Sequence, residues 1–233
     1  MNKNQKERYA RHLILSKIGE DGQEKLLKAR VLVVGAGGLG APVLQYLVAA
    51  GVGNIGIVDA DAVSVSNLQR QILYDESHIG LSKAKMSKER LNALNSDVQI
   101  ATYPFILEEI NADEIISNYD IVVGCTDNFE SRLLIDNITK SQKKPFVHAS
   151  IGEFEGQVAV FNYKGSISYQ DLFGNVSNDA NLPLGVMGIL PGIIGSLQAT
   201  EVIKIICGVG EVLSNKLLLY DALACEMQVV KMG

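Results

Sequence analysis

The apolar positions of this chain fall into short runs separated by amphipathic stretches. Residues 31–34 read Val-Leu-Val-Val and stop at glycines, the pattern of a strand buried on both faces. Residues 41–50 follow as an apolar helix, and 54–58 as a second strand ending in Asp59 and Asp61. Together they make a βαβ unit of roughly 30 residues. The alternation continues with a helix over 82–94, capped by Ser82 and with lysines on its outer face, and a strand over 98–102. A short helix entered at Asn111, a strand over 120–124, a helix over 128–140 and a strand over 146–149 come next. Two helical segments, 5–15 and 22–29, precede the first strand.

After Ile151 the pattern changes. Residues 156–161 are β-rich, and 163–185 are polar and aperiodic, as expected of a lid or binding loop. A helix over 192–207 and a hairpin, 216–220 turning at Asp221-Ala222 into 226–231, close the chain. The predicted class is α/β: a Rossmann-like, doubly wound, mostly parallel sheet, extended by a C-terminal β-rich part and preceded by N-terminal helices. One domain is expected over 1–233, with a nucleotide-binding half over 1–150 and a second half over 151–233.

Composition narrows the function classes. Hydrophobic residues make up 47%, enough for a continuous core, and the net charge of -5 gives no support to nucleic-acid binding. Residues 180–200 carry no charge and approach the length of a membrane span. They also hold Asn181, Pro183, Pro191 and Gln198, and Glu201 and Lys204 follow in the same helix, so a loop leading into a buried helix is expected instead. The polar N-terminus is no signal peptide. Cys125, Cys207 and Cys225 form no Cys-x-x-Cys pair, which predicts thiols buried in a reducing cytoplasm rather than disulfides or zinc.

The chemistry concentrates around Gly35-Ala36-Gly37-Gly38-Leu39-Gly40. Gly35 and Gly37 allow a tight turn, Gly38 lets backbone N–H groups approach a phosphate, and Gly40 lets the helix pack on the strand. Asp59, about 20 residues on, is placed to accept hydrogen bonds from a ribose. Asp61 fits either a nucleotide contact or a turn cap. Arg70 lies in Ser66-Asn67-Leu68-Gln69-Arg70-Gln71, among Asn67, Gln69 and Gln71, where a dinucleotide site has no need of a cation. Arg70 and Lys83 match the charge of a triphosphate, although Lys83 fits equally the solvated helix face of Lys85 and Lys88. Asp127, in Cys125-Thr126-Asp127-Asn128, fits a Mg²⁺ ligand at the end of a strand or an N-cap, a role Asn128 can take in its place. His12, His78 and His148 are expected to be structural.

These motifs together resemble the ThiF/MoeB/HesA adenylyltransferases, relatives of the ubiquitin-activating enzymes. The resemblance extends to Arg8-Tyr9-Ala10-Arg11-His12, Glu155-Gly156-Gln157, Gly195-Ser196-Leu197-Gln198-Ala199 and Tyr220-Asp221-Ala222. It implies that ATP and Mg²⁺ are used to adenylate the C-terminal glycine of a ubiquitin-like sulfur-carrier protein ending in Gly-Gly. It also implies nucleotide or catalytic roles for Gly38, Asp59, Asn67, Arg70, Lys83 and Asp127, and a homodimer in which Arg11 reaches the neighbour's phosphates. Residues 151–233 then become the carrier-binding half, with 163–185 as its crossover loop.

The sequence departs from the family in two places. Where many members carry the first Cys-x-x-Cys of a zinc site, it reads Ser168-Tyr169-Gln170-Asp171, and it ends at Gly233 without a second pair, so no zinc site is expected. Residues 163–185 hold no cysteine, so the reaction is expected to stop at the acyl-adenylate, with sulfur supplied by another protein. An NAD-dependent oxidoreductase and a non-catalytic carrier-binding scaffold are the competing readings. Arg70, Lys83 and Asp127 disfavour both.

Overall fold

In the computed structural model, which describes residues 1–174 and 185–232, the Val-rich run becomes β1 (Arg30–Val34) at the middle of the parallel region. Helices α1 (Lys3–Arg8), α2 (Ala10–Leu13) and α3 (Gly19–Lys28) precede it. Then follow α4 (Gly40–Ala50), β2 (Asn54–Val58), α5 (Lys83–Leu94), β3 (Gln99–Tyr103), α6 (Glu109–Ser117), β4 (Ile121–Gly124), α7 (Phe129–Ser141) and β5 (Phe146–Gly152). The second half adds β6 (Glu155–Phe161), α8 (Tyr169–Phe173), α9 (Leu190–Cys207), β7 (Lys216–Asp221) and β8 (Glu226–Lys231).

Among the described residues these strands form an eight-stranded sheet in the order β3-β2-β1-β4-β5-β6-β7-β8. The first five are parallel, and β5 to β8 run as an antiparallel meander. One sheet therefore passes through both halves of the chain. Val31 and Val33 face the core under α3, α4 and α9, whereas Leu32 and Val34 face the core under α6 and α7. Burial on both faces explains why β1 reads as a continuous apolar run rather than an alternating one.

Local chemistry sets several boundaries differently from expectation. Ser82 occupies the N-cap position of α5, but its hydroxyl makes no capping bond and is buried without a partner. Lys85 and Lys88 are exposed as expected of an outer face, but Lys83 is buried. The stretch 163–185 is not wholly irregular. Ser168-Tyr169-Gln170-Asp171 is a reciprocal capping box that opens α8, with Ser168 Oγ accepting from the Asp171 N–H and the Asp171 carboxylate accepting from the Ser168 N–H. Residues 175–184 of that stretch lie outside the described residues. Helix α9 has the length and apolarity of a membrane span, yet half of it is buried inside the fold, packed on α3, α4, β5 and β6.

Of the cysteines, Cys125 and Cys207 are buried and Cys225 is exposed. His12 Nδ1 bonds to Gln23, and His78 Nδ1 accepts from the Asp75 N–H. His148 is fully buried among Phe146, Phe161, Tyr169 and Phe173, and neither ring nitrogen has a hydrogen-bond partner among the described residues. Burial, reinforced by the positive charge of Arg132, pushes its pKa well below the ordinary 6.5. The unfolded chain therefore binds a proton that the fold refuses, in the window below 6.5. Stability is expected to rise with pH across that window and to level off above it. For this one group the limiting slope is about 1.4 kcal/mol per pH unit. His148→Leu should flatten the slope. Urea midpoints compared at about pH 5 and about pH 7.5 check this, and a slope unchanged in the variant would assign it to other groups.

Candidate active site

The site grows from the carboxyl ends of β1, β2 and β4, where the strand order turns from β2-β1 toward β4-β5 and opens a crevice. Residues 35–40 leave β1 there and run into α4. Gly35 has φ +97°, and its N–H donates to Val58 O at 2.8 Å. A Cβ on Gly35 would lie 2.5 Å from Cys125 O, so the loop is pressed against the segment that follows β4. Behind the loop, the Tyr74 hydroxyl donates to Ala36 O at 2.7 Å and bonds Ser87 Oγ at 2.9 Å. Burial raises the pKa of this phenol, so it stays a donor.

Asp59 ends β2 beside the loop. Its Oδ2 accepts from the Ala36 N–H at 2.7 Å and its Oδ1 from the Asp61 N–H at 2.9 Å. Burial raises its pKa, while those two N–H donors and the charge of Lys83 pull the other way. Each oxygen keeps acceptor capacity for a ribose hydroxyl. Of the two roles open to Asp61, the fold adds a third: its carboxylate pairs with Lys83 Nζ at 2.8 Å. Lys83 has a side chain only 6% exposed. An ammonium withdrawn from water costs several kcal/mol unless paired, so the pair with Asp61 explains how Lys83 can be buried where Lys85 and Lys88 are exposed.

The segment 66–71 folds over the glycine loop. The Arg70 stem passes 3.6 Å from where a Cβ on Gly38 would sit, and its guanidinium donates to Ser66 O at 3.0 Å. Arg70 has no acidic partner among the described residues. The Gln71 amide lies over Gly37, with Nε2 3.3 Å from the position of a Cβ there. Its Oε1 is buried without a partner among the described residues, which leaves an acceptor open beside the loop. Asn67 Oδ1 accepts from the Ser64 N–H and so shapes the turn leading into Arg70.

Asp127 is exposed and forms no ion pair or hydrogen bond among the described residues, because Asn128 takes the capping role. Asn128 Oδ1 accepts from the Ser131 N–H at 2.8 Å, which caps α7 and leaves its Nδ2 without a bond among the described residues. A lone exposed carboxylate beside a phosphate cradle suits Mg²⁺, which takes one or two carboxylates and completes its shell with phosphate oxygens and water.

Arg11 is the one expected site residue that the fold does not bring in. Tyr9, buried beside it in the chain, bonds Asn95 Nδ2 and packs on Gly51 at the C-terminal end of α4. The glycine loop lies at the other end of that 11-residue helix, about 16 Å away. Sequence reasoning missed several groups that shape the site. Gln198, fully buried on α9, donates from Nε2 to Gly124 O at 3.0 Å and to Val147 O at 3.3 Å, and its Oε1 accepts from the Cys125 thiol. Pro191 lies against Gly38. The helix was expected over 192–207 and Gln198 stands in the Gly195–Ala199 motif, but neither signal carried a hint of the role.

Residues 9–233 match the ThiF family. The chain belongs to that family. A probable molybdopterin-synthase adenylyltransferase of Porphyra purpurea is 47% identical over 96% of this chain and 60% of its own length. A sulfur carrier protein adenylyltransferase of Thermus thermophilus is 46% identical over 97% of this chain and 87% of its own. The chain thus spans less than two thirds of the algal ThiF-family relative and most of the bacterial one. Among solved structures, PaaA superposes with a TM-score of 0.86 at 20% identity, covering all of this chain and 75% of that one. Escherichia coli MccB with ATP gives 0.85 at 22%, covering all of this chain and 72% of that one. At these identities the likeness shows the shared ThiF-type fold.

Proposed function

We propose that this chain is an ATP-dependent adenylyltransferase that activates the C-terminal glycine of a ubiquitin-like sulfur-carrier protein. The observation that carries the reading is Arg70, whose stem packs against the glycine loop and whose guanidinium has no acid to neutralise it among the described residues. The 46% identity to a sulfur carrier protein adenylyltransferase supports the substrate class.

In the proposed reaction a carboxylate oxygen of the carrier's terminal glycine attacks the α-phosphorus of ATP. The bond from that phosphorus to the bridging oxygen breaks, and pyrophosphate leaves with its electron pair. The attacking carboxylate is ionised at neutral pH, with an ordinary pKa of about 3.5, so no general base is required. The protein's work is alignment and charge stabilisation. Loop N–H groups and the start of α4 receive phosphate oxygens, Asp59 takes the ribose, and Gln71 supplies its free Oε1 over Gly37. Arg70 and Lys83 stabilise charge on the departing pyrophosphate. Asp127 would hold Mg²⁺, which when bound offsets the triphosphate charge.

The carrier is assigned to the meander. An open cleft of about 970 Å³ over β5–β8, lined by Ser150, Gln157, Leu219 and Gln228, with Glu155 and Asp221 among its walls, suits an extended tail carrying a basic neighbour. A sulfur nucleophile of a separate donor protein would then attack the acyl carbonyl, and AMP would leave with the electron pair of the broken carbon–oxygen bond. Thiamine and molybdopterin sulfur supply are the candidate pathways, and free cysteines support a reducing cytoplasm as the location. We place Arg11 in the partner's site of a homodimer, because within its own chain it sits at the far end of α4. Exposed Ile14 and Tyr46 offer apolar surface for such a contact.

The deciding assay is exchange of labelled pyrophosphate into ATP, dependent on a Gly-Gly-ended sulfur carrier encoded near this gene. Absence of exchange with every such carrier would sink the reading, and tight NADH binding would revive the oxidoreductase. The shared site has its own check. Co-expressed Arg11→Ala and Asp127→Ala chains should regain about one quarter of wild-type exchange, since half of random pairs are mixed and each holds one intact site. No recovery would place Arg11 outside the reaction.

A further inference from the structure

The first two N–H groups of the glycine loop are already committed. Gly35 N–H donates to Val58 O at 2.8 Å, and Ala36 N–H donates to Asp59 Oδ2 at 2.7 Å. Gly37 N–H is the first with no partner among the described residues. Its direction is set by the peptide unit that it shares with Ala36 O, because in a planar trans unit the C=O and the N–H point to opposite sides. With glycine at 37, no Cβ resists turning this unit over. A further contact must therefore select the orientation that the fold holds.

Tyr74 makes that contact. Its side chain is buried behind the loop, and its hydroxyl donates to Ala36 O at 2.7 Å. Ser87 Oγ, fully buried on α5, lies 2.9 Å from the same hydroxyl. A phenol has one proton to give. With that proton on Ala36 O, the Ser87 hydroxyl donates its own to the Tyr74 oxygen, and Lys83 O, at 3.4 Å, is the poorer acceptor. The flanking units are held as well. Asp59 takes the Ala36 N–H, and Ala41 N–H donates to Gly37 O at 2.9 Å. The Ala36–Gly37 unit is thus fixed at both ends and from behind.

We propose that Tyr74 is a positioning residue that sets the Ala36–Gly37 peptide so that the Gly37 N–H faces a phosphate oxygen of the bound nucleotide. The proposal rests on the adenylyltransferase reading for the nucleotide's identity, but it gives a role to a side chain which that reading leaves without one. Tyr74 itself touches no phosphate. Without its hydroxyl, Ala36 O loses its buried partner, and the unit is free to turn over toward another. Gly37 N–H then leaves the phosphate, whereas the Ala36 N–H belongs to the preceding peptide unit and keeps its bond to Asp59. The expected consequence is a loss of phosphate recognition with the ribose contact intact.

Calorimetry on the full chain tests this, with ATP and Mg²⁺ titrated directly and adenosine measured by displacement. Tyr74→Phe keeps the ring and removes the hydroxyl alone. It should weaken ATP by about tenfold, the worth of one hydrogen bond to a charged group, and leave adenosine within about twofold. A role confined to stability would move both ligands or neither. A second measurement needs no variant. In the wild-type protein, ATP should carry the Gly37 amide proton downfield in the NMR spectrum, and adenosine should leave it in place. Unchanged ATP affinity in Tyr74→Phe, equal weakening of ATP and adenosine, or a Gly37 amide indifferent to bound ATP overturns the proposal. Each of those results leaves ATP binding by the wild-type chain, and so the adenylyltransferase reading, standing. Failure of ATP to bind the wild-type chain is a different result: it removes that reading and this inference with it.

Discussion

Arg70→Ala is expected to lower carrier-dependent pyrophosphate exchange by about 10²–10³-fold, the usual loss when one donor to a developing charge is removed. The melting temperature should hardly move. Arg70 is half-buried, its guanidinium bond to Ser66 O is a neutral surface contact, and no buried carboxylate is left unpaired when it goes. Since the interaction is assigned to the leaving pyrophosphate, the loss should fall mainly on kcat, with the KM for ATP changed less. Arg70→Lys should recover part of the activity, because a point charge remains but the bidentate fork does not. A wild-type kcat in the alanine variant would remove Arg70 from the reaction and with it the main support for triphosphate chemistry.

Gly40→Ala is expected to be among the most destabilising single substitutions in the chain. The new Cβ would lie 2.0 Å from Gly35 O and 2.9 Å from Gly35 C, against backbone rather than a side chain that can swing away. Gly35 cannot retreat, since it is pressed against Cys125 O and tied to Val58 O. We expect a loss of about 3 kcal/mol or more from overpacking, read as a fall in the urea midpoint, together with loss of ATP binding because the loop must open. Gly192→Ala is the control. That glycine lies in the first turn of α9 with nothing within 4 Å of an added Cβ, so alanine there should be neutral or stabilise by about 0.5–1 kcal/mol. Equal midpoints for the two variants would mean that the glycine loop is far more yielding than its contacts imply.

Much of the architecture was legible because it depends on near neighbours in sequence. The buried run at 31–34, the glycines that follow it, the strand at 54–58 and the Asn128 cap each follow from patterns a few residues long. Element ends drifted by up to three residues, and the helix expected over 5–15 is split in two at Tyr9. Glu108, paired reciprocally with Asn111, opens α6 two residues before the expected start. Residues 168–171 escaped notice as a helix start because their place suggested a lost metal pair, whereas their chemistry is a capping box. The antiparallel pairing of β6 with β7 was not readable, since β7 begins more than 50 residues along the chain after β6 ends.

The sequence by itself determined that a glycine-rich loop, a strand-end aspartate and an unexpected arginine belong to one α/β unit. Short-range steric rules and hydrophobic period suffice for that. Only the tertiary structure decided which charges are sheltered and which are free. Lys83 reads as one more helix lysine until Asp61, 22 residues away, is seen to pair with its buried ammonium. Tyr74 reaches Ala36 across 38 residues, and Gln198 reaches Gly124 across 74. Arg11 was legible as a motif, yet the fold puts it at the wrong end of α4 for its own site. The reason is common to all four. Desolvation, pairing and distance are properties of groups brought together by the sheet, and a residue's identity carries none of them until the chain has closed.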